Sequence, residues 1–598
     1  MKLPYRALLP VAAACLAFGA APAIDPKVYL EEVKYLASPE LQGRKTGTPQ
    51  AEQAAAYIAG KFREFHLEPP DGKSYYQAFD FTTSAHPGNN NRLTVTDGGR
   101  TAHLRLAEDF ALFNFSHAGR FRGPLVFAGY GITAPEFQYD DYAGLDVKGR
   151  VVLILRHAPR SHNFGAHEEF ASKASNAKMH GAAAVILVND VPHRPEGGDK
   201  LERFSIVDGP EDTGIPFVQV KEAIAAQWFA EAGKPIDAVV ASIDRDGKPE
   251  SFEFPRSLSV DANVDLEREV KTVHNVAGYL PGTSDEYVII GAHYDHLGLG
   301  GEYSLAPSMT GTVHPGADDN ASGTAGVIEL ARWYSTQPKQ KRGILFLTFT
   351  GEEEGLLGSE FWAAHPEVPI EKAVAMVNMD MIGRVRNGKL YIGGTATGSN
   401  FRELLNGLVA HSGGLTVDYS EGPESSSSDH TSFIAKHVPS LFFFSGLHSD
   451  YHKPSDTWDK IDAPDAAKVL ALVAEVTDEL REEPGRPEFH KPAAPAGHGA
   501  GDPGPVSGAS GYGPWFGSVP DFGEGVNGVK FADVTAGSPA AKAGLRAGDV
   551  LTEFDGKPIG NLYDFTYALR AKKPGDAVKV KVLREGKPLE ATVVLAQR

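Results

Sequence analysis

The sequence has almost no cysteine. Cys15 is the only one in 598 residues, and it lies in the opening stretch, so the rest of the chain can offer no disulfide, thiolate ligand or thiol nucleophile. Basic charge is also short. With 58 Lys+Arg against 77 Asp+Glu, the formal net charge is −19, which repels a phosphate backbone and argues against nucleic acid as a partner. No apolar run reaches the ~18 residues a membrane span needs, and no serine stands in a Gly-x-Ser-x-Gly elbow. Hydrophobic residues at 42% and charged residues at 23% exclude collagenous, wholly disordered and disulfide-scaffold chains.

The first 23 residues read as a signal peptide. Lys2 and Arg6 precede an apolar run from Ala7 to Ala20, and Ala21-Pro22-Ala23 satisfies the small-x-small cleavage rule. The expectation is export, to the periplasm or the outside. Lipid anchoring through Cys15 is a minor alternative, because Ala12 stands where a lipobox usually has Leu.

Four textures follow along the chain. Ala51, Ala54, Ala55, Ile58, Ala59 and Phe62 recur at helical spacing. From about residue 93 to 240 short β-type runs dominate, with one helix over 168–180 leading into a strand at 182–188. Between 272 and 473 strands alternate with helices, and the strands at 287–290, 344–349, 373–377 and 441–444 are near-continuous apolar runs, as in a sheet covered on both faces. Residues 484–513 are rich in Pro, Gly, Ala and Ser and read as a linker. The remainder is one small domain with helical pieces at 540–543 and 562–571. The Gly-x-Gly-x-x-Gly at Gly523 to Gly528 is a turn, since a strand follows where a nucleotide fold needs a helix. His167-Glu168-Glu169 lacks the second helical His of a zincin, position 171 being Ala.

Five segments of the α/β block place a His or carboxylate at or just past a strand end. They carry His293 with Asp295, Asp318 with Asp319, Glu352 to Glu354, Asp380 and His452. Ligands of open α/β sheets bind outside the carboxyl ends of the strands, so the five converge on one crevice. Imidazoles and carboxylates without thiolates suit two divalent ions, zinc first, with manganese or cobalt as substitutes. His293 and Asp295, two apart, are expected to face one side, the carboxylate taking the second ring N–H.

The motifs Gly-Ala-His-Tyr-Asp-His-Leu-Gly, Gly-Ala-Asp-Asp-Asn-Ala-Ser-Gly, Gly-Glu-Glu-Glu-Gly-Leu-Leu-Gly-Ser, Asn-Met-Asp-Met-Ile-Gly and Tyr-His-Lys-Pro-Ser-Asp-Thr, in this order, closely resemble metallopeptidase family 28. So does the opening Ala37-Ser38-Pro39-Glu40-Leu41-Gln42-Gly43-Arg44. The resemblance implies a mixed, mostly parallel sheet flanked by helices, the zinc exopeptidase fold, over 24–110 and 256–483. It implies His293, Asp319 and Asp380 on one zinc, and Asp319, Glu353 and His452 on the other, with Asp319 bridging. Glu352 falls on the general base and Asp295 on the orienting partner. Residues 111–255 resemble a protease-associated insert, and 514–598 a small PDZ domain whose carboxylate loop would be Phe516-Gly517-Ser518-Val519. The implied activity is a di-zinc aminopeptidase acting on peptides with a free N-terminus, and the implied PDZ partner is a peptide or protein C-terminus. A zinc carboxypeptidase of the same family and a non-catalytic peptide-binding scaffold are the alternatives. Where some members place a Tyr before the Asp-His pair, this chain has Ser425 to Ser428, leaving Tyr419, Tyr451 or a backbone donor to hold the oxyanion.

Overall fold

The computed structural model describes residues 24–491 and 514–596, apart from 163, 192–197, 205–211, 302, 411, 420–427, 522–526, 561–564, 566–567, 570–571 and 574. The expected signal peptide, most of the linker, most of the helical piece at 562–571 and Ser425 to Ser427 lie outside these residues. Among the described residues no helix is long and apolar enough to cross a membrane.

The α/β block is built on eight strands: β1 (Tyr76–Pro87), β2 (Leu266–Leu280), β3 (Tyr287–His293), β4 (Gly343–Phe349), β5 (Ala373–Met379), β6 (Lys389–Gly393), β7 (Thr416–Asp418) and β8 (Ser440–Phe444). They lie in the order β1-β2-β4-β3-β5-β8-β6-β7. The β3–β4, β3–β5, β5–β8 and β6–β7 pairs are parallel, and the other three antiparallel. The sheet is thus mixed and mostly parallel. Every residue of β3, β4 and β5 is buried, which is why these strands read as unbroken apolar runs. Val288, Ile290 and Ala292 point into one core with α1 (Pro26–Leu36), α2 (Pro49–Glu64), α3 (Gly323–Tyr334) and α4 (Ala463–Glu482), while Tyr287 and Ile289 point into the core around Trp362.

Helix α2 shows the local logic. Pro49 sits in the first turn, where its missing N–H costs nothing, and the Thr48 side chain accepts from Ala51 N. Its buried stripe is Ala51, Ala54, Ala55, Ile58, Ala59 and Phe62, so small residues let the helix lie close on β2 and α3.

A second, nine-stranded sheet forms the insert. It takes in strands from Arg92–Asp97 to Ser259–Val264, wider at both ends than the expected 111–255. The reason is pairing: Leu93 and Val95 alternate inward and the 92–97 strand zips antiparallel onto 259–263. The C-terminal domain closes five main strands around Phe516, Phe531, Phe554 and Phe565. Its Asp533 Oδ2 accepts from Ser308 N at 3.2 Å and Ser308 Oγ at 2.6 Å, touching a loop of the α/β block.

Candidate metal centre

The fold gathers the expected ligands near the carboxyl ends of the parallel strands. His293 is the last residue of β3, Asp380 follows β5, and Glu352 and Glu353 lie in the turn after β4. Asp319 comes from Ala317–Ser322, which leads into α3, and His452 from the loop after β8. Gly316 makes the approach feasible: at φ 56° a Cβ would stand 2.2 Å from Asp319 O and 2.4 Å from the His296 ring.

His293 Nε2 lies 3.4 Å from Asp319 Oδ1 and 3.4 Å from Asp380 Oδ1. His452 Nε2 lies 3.2 Å from Asp319 Oδ2 and 3.1 Å from Glu353 Oε2. The two oxygens of Asp319 thus face different histidines, and all five expected ligand residues are brought together. Buried His293 Nε2, His452 Nε2, Asp319 Oδ2 and Asp380 Oδ1 make no hydrogen bond. Such orphaned atoms are costly unless something else satisfies them. Three residues each, His293/Asp319/Asp380 and His296/Asp319/Glu353, are close enough to share one ion. Nitrogen and oxygen donors without sulfur fit zinc or a similar divalent ion at both.

Surrounding bonds aim the donors. His452 Nδ1 meets Tyr303 O at 2.9 Å, which turns Nε2 toward the centre. His293 Nδ1 lies 3.3 Å from the main-chain oxygen of Asp295, and 3.7 Å from its carboxylate. The carboxylate also accepts from Glu352 N at 3.2 Å and Thr46 Oγ1 at 2.9 Å. Asp456 Oδ2 accepts from both Asp318 N and Asp319 N. Ser428 Oγ donates to Asp380 Oδ2 at 2.9 Å and accepts from Asn378 Nδ2.

The neighbouring glutamates are driven apart. Burial raises Glu353, but His452 and His296 outweigh it and bring the carboxyl down to about 2. Burial also raises Glu352, and despite His293 it stays well above the ordinary range, with Asp380, Glu353 and Asp429 adding to the rise. One glutamate is held as a carboxylate while its neighbour takes up a proton readily.

Asp319, Glu352, Asp380 and His452 open onto a cleft walled by Met381, Phe442, Phe444, Leu447 and Tyr451. Tyr451 stacks on His452 at 3.9 Å between ring centroids. Burial and the surrounding carboxylates raise its hydroxyl well above the usual range, so it keeps its proton. Tyr419 packs at the edge of the main core and does not line this cleft.

Two contributors escaped the sequence reading. His296 Nδ1 is 2.6 Å from Glu353 Oε1, and its buried Nε2 makes no hydrogen bond. The signal was a second imidazole three residues after His293. Ser428 closes a serine run that by itself looks like a polar loop.

Residues 275–477 match the model of peptidase family M28, residues 121–228 that of the PA domain and residues 512–595 that of the PDZ domain. The chain is 26% identical to aminopeptidase YwaD of Bacillus subtilis over 70% of this chain and 77% of that one. It is 24% identical to the probable lipoprotein aminopeptidase LpqL of Mycobacterium tuberculosis over 60% of this chain, and spans 59% of that relative's length. A solved aminopeptidase from Aneurinibacillus sp. strain AM-1 aligns at 26% identity with a TM-score of 0.43, over 79% of this chain and 97% of the other. The chain thus resembles peptidase family M28 over residues 275–477, with a PA-domain match before that segment and a PDZ-domain match after it.

Proposed function

We propose that the chain is an exported di-zinc aminopeptidase that removes N-terminal, preferably apolar, residues from peptides. The observation that carries this is the convergence of His293, Asp319, Asp380, Glu353 and His452, with buried donor atoms that make no hydrogen bond, beside a cleft with an apolar wall. His293, Asp319 and Asp380 would hold one zinc, and Asp319, Glu353 and His452 the other, with His296 steadying Glu353. Bound there, zinc supplies Lewis-acid polarisation of the scissile carbonyl and a more acidic water.

The chain's own groups do the rest. Glu352 takes the proton of the attacking water and hands it to the leaving amine. Asp295 fixes the turn that carries Glu352 by accepting from its main-chain N–H. The Tyr451 hydroxyl donates to the carbonyl oxygen as negative charge builds on it. Met381, Phe442 and Phe444 exclude water and receive an apolar first side chain.

The family relatives named above are aminopeptidases, and the basic-apolar-small opening of the chain supports export. The PDZ domain would take a peptide or protein C-terminus by strand addition. A carboxypeptidase needs a free cation for the substrate carboxylate, but Arg384 is engaged by Asp450 at 2.6 Å and Arg386 Nη2 donates to Leu447 O at 2.6 Å.

The test is direct. Purified chain releases p-nitroaniline from leucine-p-nitroanilide, loses this on chelation and spares the N-acetylated substrate; equal cleavage of the blocked substrate rejects the exopeptidase reading. Glu352→Gln keeps its zinc and loses roughly 10²–10⁴-fold in kcat. A fully active variant removes Glu352 as the base.

A further inference from the structure

Four consecutive residues far outside the matched 275–477 segment, Gly43 to Thr46, run beneath the metal centre and bond to three of the loops that carry its ligands. Arg44 is fully buried, and among the described residues no carboxylate pairs with it. Its guanidinium donates to main-chain oxygens instead: Nε to Tyr294 O at 2.6 Å, Nη1 to Leu36 O at 3.0 Å and Pro315 O at 2.5 Å, and Nη2 to Gly316 O at 2.7 Å. Tyr294 follows His293, and Gly316 stands three residues before Asp319.

The main chain adds to this grip. Gly298 N donates to Gly43 O at 3.0 Å and His296 N to Arg44 O at 3.4 Å. Gly43 lies at φ 70°, and a Cβ there would stand 2.3 Å from His314 O and 2.6 Å from Gly298 O, so only glycine lets the segment in this close. Thr46 reaches the third loop. Its Oγ1 accepts from Gly351 N at 3.0 Å and donates to Asp295 Oδ2 at 2.9 Å, while Asp295 Oδ1 accepts from Glu352 N. Lys45 Nζ pairs with Glu354 Oε1 at 2.6 Å on the same turn.

These loops have little regular structure of their own, so side-chain and main-chain bonds must set where they stand. A guanidinium has a rigid planar fork, and carbonyls bonded to it are fixed in direction as well as distance. Its charge also faces the buried carboxylates of Asp319, Asp295, Asp456 and Glu353, offsetting their mutual repulsion before any cation arrives.

We propose that Gly43–Thr46 is a positioning element of the metal centre, in which Arg44 and Thr46 hold the loops bearing His293, Asp319 and Glu352 in register so that the ligand set is formed before the ion enters. This rests on reading the acid cluster as a zinc site.

The experiment strips the full chain of metal, titrates it with Zn²⁺ alone against a chromophoric competitor, and follows leucine-p-nitroanilide turnover in parallel. Thr46→Val keeps the shape and removes the hydroxyl; it weakens zinc binding and lowers kcat by roughly 10–100-fold, with KM within about twofold. Thr46→Ser restores both. Arg44→Lys, a point donor that cannot reach four carbonyls, weakens zinc binding further, and if it does not fold the Thr46 pair decides. Thr46→Val with wild-type zinc affinity and kcat, or Thr46→Ser as impaired as Thr46→Val, overturns the positioning role and leaves the zinc site standing. Wild-type chain that takes up no zinc overturns both.

Discussion

Phe444 offers a way to read substrate choice from the cleft wall. Along β8 the side chains alternate, so Leu441 and Phe443 join the main core while Phe442 and Phe444 join Met381 in the cleft cluster. The Phe444 ring lies 5.7 Å from Phe442 and 6.1 Å from Tyr391, centroid to centroid. A leucine side chain has three more carbons than alanine; at ~0.8 kcal/mol per buried carbon that is roughly 2.4 kcal/mol, or about fifty-fold in kcat/KM. If Phe444 supplies about half of that contact, Phe444→Ala leaves roughly 1.2 kcal/mol and a preference of about sevenfold. The assay compares kcat/KM for leucine- and alanine-p-nitroanilide in both proteins, with thermal unfolding to verify that the variant is folded. Turnover of the alanine substrate should stay close to wild type, because the proposed base and metal donors are unchanged. A wild-type ratio near one, or an unchanged ratio in the variant, would refute the assignment of this wall to the first side chain.

Burial explains what could and could not be read from residues alone. Strands β3, β4 and β5 were legible because both faces are covered, and α2 because Ala54, Ile58 and Phe62 repeat at helical spacing. Among the expected ligands, His293, Glu353 and Asp380 stood out because each sits at or just past the end of such a strand, whereas Asp319 lies in the segment that leads into α3. Alternation reached Asp295 only in part: it places residues two apart on one side within a strand, and β3 ends at His293. Past that point the carboxylate also meets Thr46 and Glu352, partners that spacing does not reveal. The ends of the insert were hidden for another reason. Leu93 and Val95 alternate like any half-buried strand, and only pairing with the 259–264 strand tells which sheet they join. Arg44 stood in a recognisable motif, but what it bonds lay beyond single-sequence reasoning, because its partners are carbonyls that any residue would supply.

Metal removal should register in stability as well as rate. Zinc at about a thousand times its dissociation constant adds about 4 kcal/mol to the folded state, and at roughly 2–4 °C per kcal/mol chelation lowers the midpoint of the catalytic block by roughly 8–16 °C. Calorimetry with chelator and zinc add-back measures this, and an unmoved transition would refute it. In the insert, Asp141 should produce the opposite of ordinary acid lability. Burial raises its carboxyl from 3.8 to about 7, although Ile132 N, Tyr139 Oη and Tyr130 N bond to it and pull the other way. An unfolded chain releases that proton near the ordinary value, so between the two the folded insert holds more protons. The stabilisation from this group therefore grows as pH falls through about 7 and is complete below about 4, reaching up to about 4 kcal/mol. Asp141→Asn cannot titrate and lacks the slope. Hydrogen exchange of the 125–155 strands at pH 7 and pH 5 should show wild type gaining protection relative to the variant on acidification. A difference that shrinks or stays constant would mean that folding does not raise the Asp141 carboxyl above its ordinary value.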